Sequence, residues 1–212
     1  MNHEIGALIA LFKRALALKE LPRTGAIMEG ATRADADTIA AHSHAVSLLS
    51  YLTAKQLSMD FPAIDCERVV SMAVLHDLGE CITGDLPTGL KRLLPEISDA
   101  VEERALDFLL SDIHGRDDLL TLIREYNACR TAESRIVKFA DIVDAFVHLK
   151  TRLQREFPVF LEVSEEKLRH DSPASDGGVG VRLADWLRVI RSDWTTINPK
   201  PFPKRTAPKQ LV

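Results

Sequence analysis

The sequence is poor in the residues that mark disulfide-rich, collagen-like or membrane-spanning proteins. Only three of its 212 residues are cysteine, namely Cys66, Cys81 and Cys129, too few for a disulfide framework or a cysteine-based zinc site. Ten glycines and ten prolines exclude a collagenous or low-complexity chain. No apolar run approaches the roughly 20 residues that a membrane-spanning helix needs. We therefore expect no membrane association and a reducing compartment, most simply the cytoplasm.

The composition that remains is that of an ordinary globular domain. Hydrophobic residues make up 46% of the chain and charged residues 27%, which argues against disorder. A chain of this length can bury about 70% of its unfolded surface in one core. The net charge is −4, and the basic tail after residue 198 makes the rest of the chain more acidic still. Such a surface suits a small-molecule partner better than a nucleic-acid polymer.

Helical periodicity dominates the chain and predicts an all-α fold. The predicted helix over residues 4–19 carries one apolar face, formed by Ile5, Leu8, Ile9, Phe12 and Leu16. This helix differs from a signal peptide in two ways, because an acid precedes its apolar stretch and no small-residue cleavage site follows it. Further helices are predicted over residues 37–59, 65–76, 95–112, 117–128, 132–154 and 181–194. Glycine and proline predict loops over residues 22–30, 81–89 and 172–180.

These elements predict a single domain. The sequence has no internal repeat and no linker long enough to divide a core. We expect one helical domain over residues 1–195, followed by a Pro- and Lys-rich tail over residues 196–212 that is extended or mobile. No stretch alternates apolar and polar residues as a half-buried strand would.

The stretch AVLHDLGECITGDLP, residues 73–87, carries the most informative chemistry. An apolar helix there ends in His76 and Asp77. Burial of either polar side chain costs free energy unless another group pairs with it. Neutral imidazole and carboxylate are ligands for divalent transition metals. Two adjacent residues cannot complete a coordination sphere. The candidates for the remaining ligands are His42 or His44 on the second predicted helix and Asp141 or Asp144 on the helix after residue 132.

The order of these residues resembles the H…HD…D pattern of the HD-domain metal-dependent phosphohydrolases. His42, the pair His76-Asp77 and Asp141 follow that order. Five segments also occur in sequence, namely LPRTG, AHS, HDLGECITGDLP, EYN and ESRIVKFAD. Together, over residues 12–155, they resemble the HD-domain 5′-deoxynucleotidases and their eukaryotic HD-domain-containing relatives. The resemblance implies a helical bundle with a metal between helices, a nucleotide substrate and a homodimer.

The resemblance also implies one divalent metal ion, bound by His42, His76, Asp77 and Asp141. This donor set suits Mn, Co, Fe, Ni, Zn or Mg to differing degrees. The metal would polarise the substrate phosphate and lower the pKa of its bound water. His44 lies two positions from His42 and should point elsewhere on the helix.

Further roles follow from the same resemblance. Glu80 matches the catalytic acid of the family and lies one helical turn after His76, where it can face the same cavity and act on the attacking water or the leaving 5′ oxygen. Asp85 matches a residue that assists catalysis or contacts the sugar, although a purely turn-forming role stays open. Arg23 is the first candidate for binding the phosphate, and Arg33 is the second.

Two positions depart from the family pattern. Ala41 stands where relatives carry an acid before the first histidine, an acid that could orient the imidazole. Ala26 stands where the deoxynucleotidases place a tryptophan that discriminates between sugars, so the resemblance does not fix whether ribonucleotides or deoxyribonucleotides are preferred.

The predicted activity is metal-dependent removal of the phosphate from nucleoside 5′-monophosphates, with deoxyribonucleotides as the first candidates. Two alternatives stay open at this point. The same site could act on another nucleotide, such as a triphosphate, a cyclic nucleotide or ppGpp. The chain could instead be a non-catalytic nucleotide sensor in which the metal only stabilises the fold.

Overall fold

The structure is a computed structural model that describes residues 3–153, 158–172 and 175–197. Within these ranges the chain forms helices and no strand, apart from one isolated antiparallel bridge between Pro22 and Thr38. The helices are α1 (His3–Ala15), α2 (Thr24–Met28), α3 (Ile39–Leu57), α4 (Cys66–Leu75), α5 (Glu80–Thr83), α6 (Thr88–Leu93), α7 (Pro95–Leu109), α8 (Arg116–Ala128), α9 (Ala132–Leu153), α10 (Pro158–Arg169) and α11 (Val179–Ser192). The predicted all-α class is confirmed.

Two long helices, α3 and α9, pack against each other at the centre of the fold. Helices α4, α8 and α11 pack against α9, and α4 also packs against α3. The main core includes Val46, Met72, Ile136, Ala140 and Leu183. A second, smaller core between α7 and α8 consists of Leu106, Leu110, Leu120 and Ile123. Each fully buried aliphatic side chain contributes about 1.5–3 kcal/mol relative to an exposed one, so these contacts fix the spacing of the central helices.

Local capping residues set the starts of two helices that carry the site. The side chain of Thr38 accepts a hydrogen bond from the backbone N–H of Ala41 at 3.2 Å and begins α3. The carboxylate of Asp65 accepts from the backbone N–H groups of Glu67 and Arg68, both at 3.0 Å, and begins α4. The sequence favours Asp65 and either Asp37 or Thr38 as N-caps, because Asp and Thr side chains satisfy the free N–H groups of a first helical turn, and the structure selects Thr38.

Three short helices lie where the sequence predicts loops. Helix α2 lies inside the predicted loop 22–30, and α5 and α6 extend into the predicted loop 81–89. The prediction of no regular helix in these parts was wrong, because helices of four to six residues are too short to show an apolar period. The glycine prediction holds at Gly84, whose φ of +71° ends α5 in a conformation that favours glycine.

Two longer elements also differ from the prediction. Helix α1 ends at Ala15 and continues as a 3₁₀ turn over Leu16–Lys19, so the predicted helix 4–19 is not one α-helix. Helix α10 has no predicted counterpart, although proline at its first position, Pro158, is a common helix-start signal.

The apolar face of α1 lies on the surface. Ile5, Leu8, Ile9, Phe12 and Leu16 are each at least 37% exposed, and α1 buries no residue. The homodimer that the resemblance implies stays a prediction, as do the domain limit at residue 195 and the cytoplasmic location. The predicted tail lies outside the described residues after Ile197. Among the described helices, none combines the length and apolarity needed to cross a bilayer.

A buried ion pair holds the start of α11. Arg135 on α9 contacts Asp176, and both side chains are at most 1% exposed. The carboxylate of Asp176 also accepts from the backbone N–H groups of Gly178 at 3.0 Å and Gly180 at 2.9 Å. The backbones of α10 and α11 meet here so closely that a Cβ on Gly180 would lie 2.1 Å from the carbonyl oxygen of Leu168. Only glycine fits at this position.

We expect Gly180→Ala to lower the melting temperature. The added methyl group must push α10 away from α11, and overpacking of this kind costs about 1–3 kcal/mol, or roughly 2–4 °C for each kcal/mol in a chain of this size. Gly89→Ala is the matched control, because a Cβ on Gly89 meets no atom within 4 Å. Calorimetry checks both variants, and equal melting temperatures for the two would contradict the close contact.

Candidate active site

Three helices bring the predicted ligand residues together. His42 lies on α3, His76 ends α4 and is followed by Asp77, and Asp141 lies on α9. These three helices contact one another, so their inward faces meet. The two histidines are almost fully buried, at 1% and 7% exposure. His44 is exposed, which confirms that it points away from this group.

Four donor atoms from these residues face one another. Nε2 of His42 lies 3.4 Å from Nε2 of His76, 3.4 Å from Oδ1 of Asp141 and 3.5 Å from Oδ2 of Asp77. Nε2 of His76 lies 3.1 Å from the same Asp77 oxygen. Imidazole nitrogens and carboxylate oxygens are donors that divalent transition metals bind. The structure therefore groups His42, His76 and Asp77 as a set that could hold a metal ion, and it places Asp141 beside His42.

The far nitrogen of each imidazole is already bonded. Nδ1 of His42 lies 2.6 Å from Oδ2 of Asp144, and Nδ1 of His76 lies 2.8 Å from the carbonyl oxygen of Ala73. Both partners accept hydrogen bonds, so in the neutral form of each ring Nδ1 carries the proton and the Nε2 lone pair faces the other ring. Two lone pairs that face each other beside two carboxylates fit a bound cation. Asp144 thus orients the first histidine, the task that Ala41 cannot perform.

The carboxylates around His42 also determine its proton affinity. Burial and the charge of Arg23 lower the pKa of His42, but the hydrogen bonds to Asp141 and Asp144 outweigh them and raise it to about 9. The imidazole therefore takes up a second proton readily, and a metal at Nε2 must compete with that proton.

Arg23 reaches the same point from the loop before α2. Its backbone N–H donates to the carbonyl oxygen of Asp37 at 2.9 Å, next to the Pro22–Thr38 bridge. Its guanidinium Nη1 donates to Oδ2 of Asp77 at 3.2 Å, and Nη2 lies 3.9 Å from Oδ1 of Asp141. The second candidate, Arg33, is exposed and does not line the cavity. The structure brings Arg23 to the site and leaves Arg33 outside it.

Glu80 lies at the first position of α5 and is 6% exposed. Burial, together with the negative charges of Asp77 and Asp85, raises the pKa of Glu80 to about 9. Its Oε1 lies 3.8 Å from Nζ of Lys91, and its buried Oε2 has no hydrogen-bond partner among the described residues. A buried carboxyl that holds a proton at neutral pH and keeps one oxygen unpaired is suited to proton transfer.

Asp85 is engaged by the backbone. Its Oδ2 accepts from the N–H groups of Thr24 at 2.7 Å and Gly25 at 3.4 Å, and it lies 4.0 Å from Nε of Arg23. The turn after α5 is thereby tied to the loop that carries Arg23. The structure gives Asp85 a role in holding that loop, while its catalytic or sugar-binding role stays a prediction.

A cavity of about 960 Å³ opens above this group. Its size lies at the upper end of the range for small-molecule sites. Ala26 lines one side and is buried, and Ala145 and Leu149 of α9 line another. The lining therefore has only a methyl group at position 26.

Four residues at the site have no role in the sequence-based assignment or only a minor one. Tyr126 and Lys138 both bond to Oδ2 of Asp141, Asp144 orients His42, and Lys91 joins Glu80 to Glu102. The signals available in the sequence were the EYN and ESRIVKFAD segments, which contain Tyr126 and Lys138, and the spacing of Asp144 one turn after Asp141.

Comparison with known sequences agrees with this geometry. A protein of Vibrio cholerae named 5′-deoxynucleotidase is 34% identical over 119 residues, which cover 52% of this chain and 60% of the relative. A protein of Dictyostelium discoideum named 5′-deoxynucleotidase HDDC2 is 26% identical over 162 residues, which cover 73% of this chain and 84% of the relative. The chain thus matches less than two thirds of the Vibrio protein and most of the Dictyostelium protein.

Solved structures show the same fold. A conserved hypothetical protein from Pyrococcus furiosus superposes with a TM-score of 0.68 at 27% identity, covering 85% of this chain and 98% of the other. A protein from Magnetospirillum magnetotacticum described as a predicted metal-dependent phosphohydrolase superposes with a TM-score of 0.66 at 18% identity, covering 92% and 96%. The family model of the HD domain matches residues 15–173. The chain therefore belongs to the HD domain family, as its H…HD…D residues predicted.

Proposed function

We propose that the protein is a metal-dependent phosphohydrolase that removes the phosphate from nucleoside 5′-monophosphates. The observation that carries this proposal is the convergence of two imidazole nitrogens and two carboxylate oxygens beside Arg23 and Glu80. The names of the Vibrio and Dictyostelium relatives support a nucleotide as the substrate.

One divalent metal ion would be held by His42, His76, Asp77 and Asp141. The facing Nε2 atoms and the two carboxylates fit such an ion in charge and in donor type. When bound, it would polarise the phosphate and lower the pKa of a water molecule. Asp144 and the Ala73 carbonyl hold the two rings in the required tautomer.

The remaining steps belong to side chains of this chain. The planar guanidinium of Arg23 can bind two phosphate oxygens and offset the charge that grows on them during the reaction. Water attacks phosphorus, the bond from phosphorus to the 5′ oxygen breaks, and Glu80 donates its proton to the leaving 5′ oxygen. The oxygen of the attacking water stays on the phosphate, and one of its protons returns to Glu80. The products are a nucleoside and inorganic phosphate. The pKa of about 9 at Glu80 keeps that proton available at neutral pH.

The cavity is roomy enough for the nucleoside as well as the phosphate. Because Ala26 is small, we propose that both ribose and deoxyribose are accepted. Among the described residues, the acids that line the cavity outnumber the bases, which favours a substrate with a single phosphate over a triphosphate.

We expect metal-dependent phosphate release from nucleoside 5′-monophosphates. Chelated protein is reloaded separately with Mn²⁺, Co²⁺, Mg²⁺ or Zn²⁺ and assayed on a panel of ribo- and deoxyribonucleotides. Asp77→Ala removes one ligand and should abolish release. The ratio of the ribonucleotide rate to the deoxyribonucleotide rate tests whether a site with Ala26 accepts both sugars. Metal binding without release of phosphate from any substrate would contradict a nucleotidase and favour a nucleotide sensor.

We expect Glu80→Gln to lower kcat by about 10²–10⁴-fold, the usual range for loss of one acid–base group. Gln has the same size but cannot give up a proton, so metal content and melting temperature should stay near those of the wild type. Glu103→Gln is the matched control, since Glu103 pairs with Arg124 at the surface and does not line the cavity. Full activity in Glu80→Gln would exclude the assigned proton transfer.

We expect Arg23→Lys to raise KM for the monophosphate and to lower kcat, because a point charge cannot reproduce two parallel hydrogen bonds to phosphate. Arg33→Lys makes the same change at an exposed position outside the cavity and should leave both constants unchanged. Steady-state kinetics on the two variants distinguishes the two predicted arginines. The reverse pattern would assign the phosphate to Arg33.

A further inference from the structure

The two oxygens of Asp141 have different surroundings. Oδ1 faces Nε2 of His42 at 3.4 Å, on the side where the donor atoms converge. Oδ2 accepts one hydrogen bond from the hydroxyl of Tyr126 at 2.7 Å and another from Nζ of Lys138 at 2.9 Å. The lone pairs of Oδ2 are therefore engaged, and Oδ1, which Nη2 of Arg23 approaches only to 3.9 Å, is the oxygen left to bind a metal ion.

Tyr126 and Lys138 also bind each other. Nζ of Lys138 donates to the Tyr126 hydroxyl at 2.5 Å and lies 4.2 Å from the centroid of its ring. A cation close to the face of a tyrosine ring is attracted by the negative charge of that face. Tyr126 is buried, and the Lys138 side chain is 17% exposed. Each residue thus limits the movement of the other.

The same pair touches a second predicted ligand. The Tyr126 ring meets the His76 ring edge to face, with centroids 5.3 Å apart and planes at 69°. Tyr126 belongs to α8, whereas Lys138 and Asp141 lie three residues apart on α9. The pair therefore connects the carboxylate of α9 with the imidazole that ends α4.

We propose that Tyr126 and Lys138 are positioning residues that make Asp141 a one-oxygen metal ligand and fix it relative to His76. The inference rests on the metal site of the proposed function. A carboxylate can bind a metal through one oxygen or through both, and the second mode takes up a coordination position that the substrate phosphate or water needs. Two donors on Oδ2 prevent that second mode. Partners of this kind typically change metal affinity 10–100-fold when they are removed.

Titration with Co²⁺ tests the pair without relying on activity. The dissociation constant is measured by competition with a chromophoric chelator, and the visible absorption of bound Co²⁺ reports its coordination number. We expect Tyr126→Phe and Lys138→Met each to weaken Co²⁺ binding 10–100-fold, because the Asp141 carboxylate is no longer held in position. The visible absorption per metal should also fall, because a second Asp141 oxygen raises the coordination number. Lys138→Arg keeps a donor to Oδ2 and should retain most of the affinity.

A matched control exists on α3. Tyr51 and Lys55 form another Tyr–Lys pair, with Nζ 5.7 Å from the ring centroid, at the surface. Tyr51→Phe and Lys55→Met should leave Co²⁺ binding and its spectrum unchanged. Tyr126 and Lys138 act on the same oxygen. The double variant should therefore lose less free energy of Co²⁺ binding than the two single variants lose in sum.

The outcomes separate the two proposals. Wild-type protein that binds no Co²⁺ would overturn the metal site and the positioning role with it. Wild-type binding with unchanged affinity and spectrum in both Tyr126→Phe and Lys138→Met would overturn the positioning role alone. A raised KM with unchanged Co²⁺ binding in Lys138→Met would overturn it as well, in favour of direct contact between Lys138 and phosphate. Melting temperatures of the metal-free variants, expected near that of the wild type, verify that each one folds.

Discussion

The site depends on two imidazole nitrogens that are held face to face, 3.4 Å apart. Each ring is fixed from behind, by Asp144 on His42 and by the Ala73 carbonyl on His76, so both lone pairs turn to one point. When both rings are neutral, such an arrangement favours a metal ion or a proton between them, and it requires α3, α4 and α9 to keep a fixed spacing. The fully buried Ala73 and Ala140 next to the site allow these helices to approach closely, and the core around them maintains the spacing.

The surroundings divide the carboxyl groups of the site into two kinds. Burial raises the pKa of Asp141, but the charges of Lys138 and His42 outweigh burial and hold it well below its usual range. Glu80 is also buried, and burial together with the negative charges of Asp77 and Asp85 outweighs the nearby Lys91 and raises its pKa to about 9. Within a single cavity, Asp141 is thus kept as an anionic ligand and Glu80 as a proton donor. The different surroundings of the two carboxyl groups produce this separation of roles.

Segments far apart in sequence complete the site. The Pro22–Thr38 bridge and the contact of Asp85 with the backbone of Thr24 fix the loop that presents Arg23. Asp144 supplies from α9 the orienting carboxylate that Ala41 cannot supply from α3. A residue of another helix therefore orients His42 in place of its sequence neighbour, which is possible because α3 and α9 pack against each other.

Features that depend on spacing within a few residues could be predicted from the sequence. The helical class and the cap at Asp65 rest on such local patterns. The full ligand set came instead from the resemblance to the H…HD…D family, because the residues alone left His44 and Asp144 as alternatives. Short helices such as α2 and α5 escaped prediction because four or five residues carry no period.

Tertiary structure decided the rest. His42 and its orienting Asp144 are 102 positions apart, and Asp85 and the backbone that it holds are 61 apart. Only the packing of the helices brings such groups within hydrogen-bond distance, and the same packing buries Tyr126 against Asp141 while it leaves Arg33 and the apolar face of α1 on the surface. Sequence spacing fixes which face of a helix a residue occupies, but what that face meets depends on the rest of the chain.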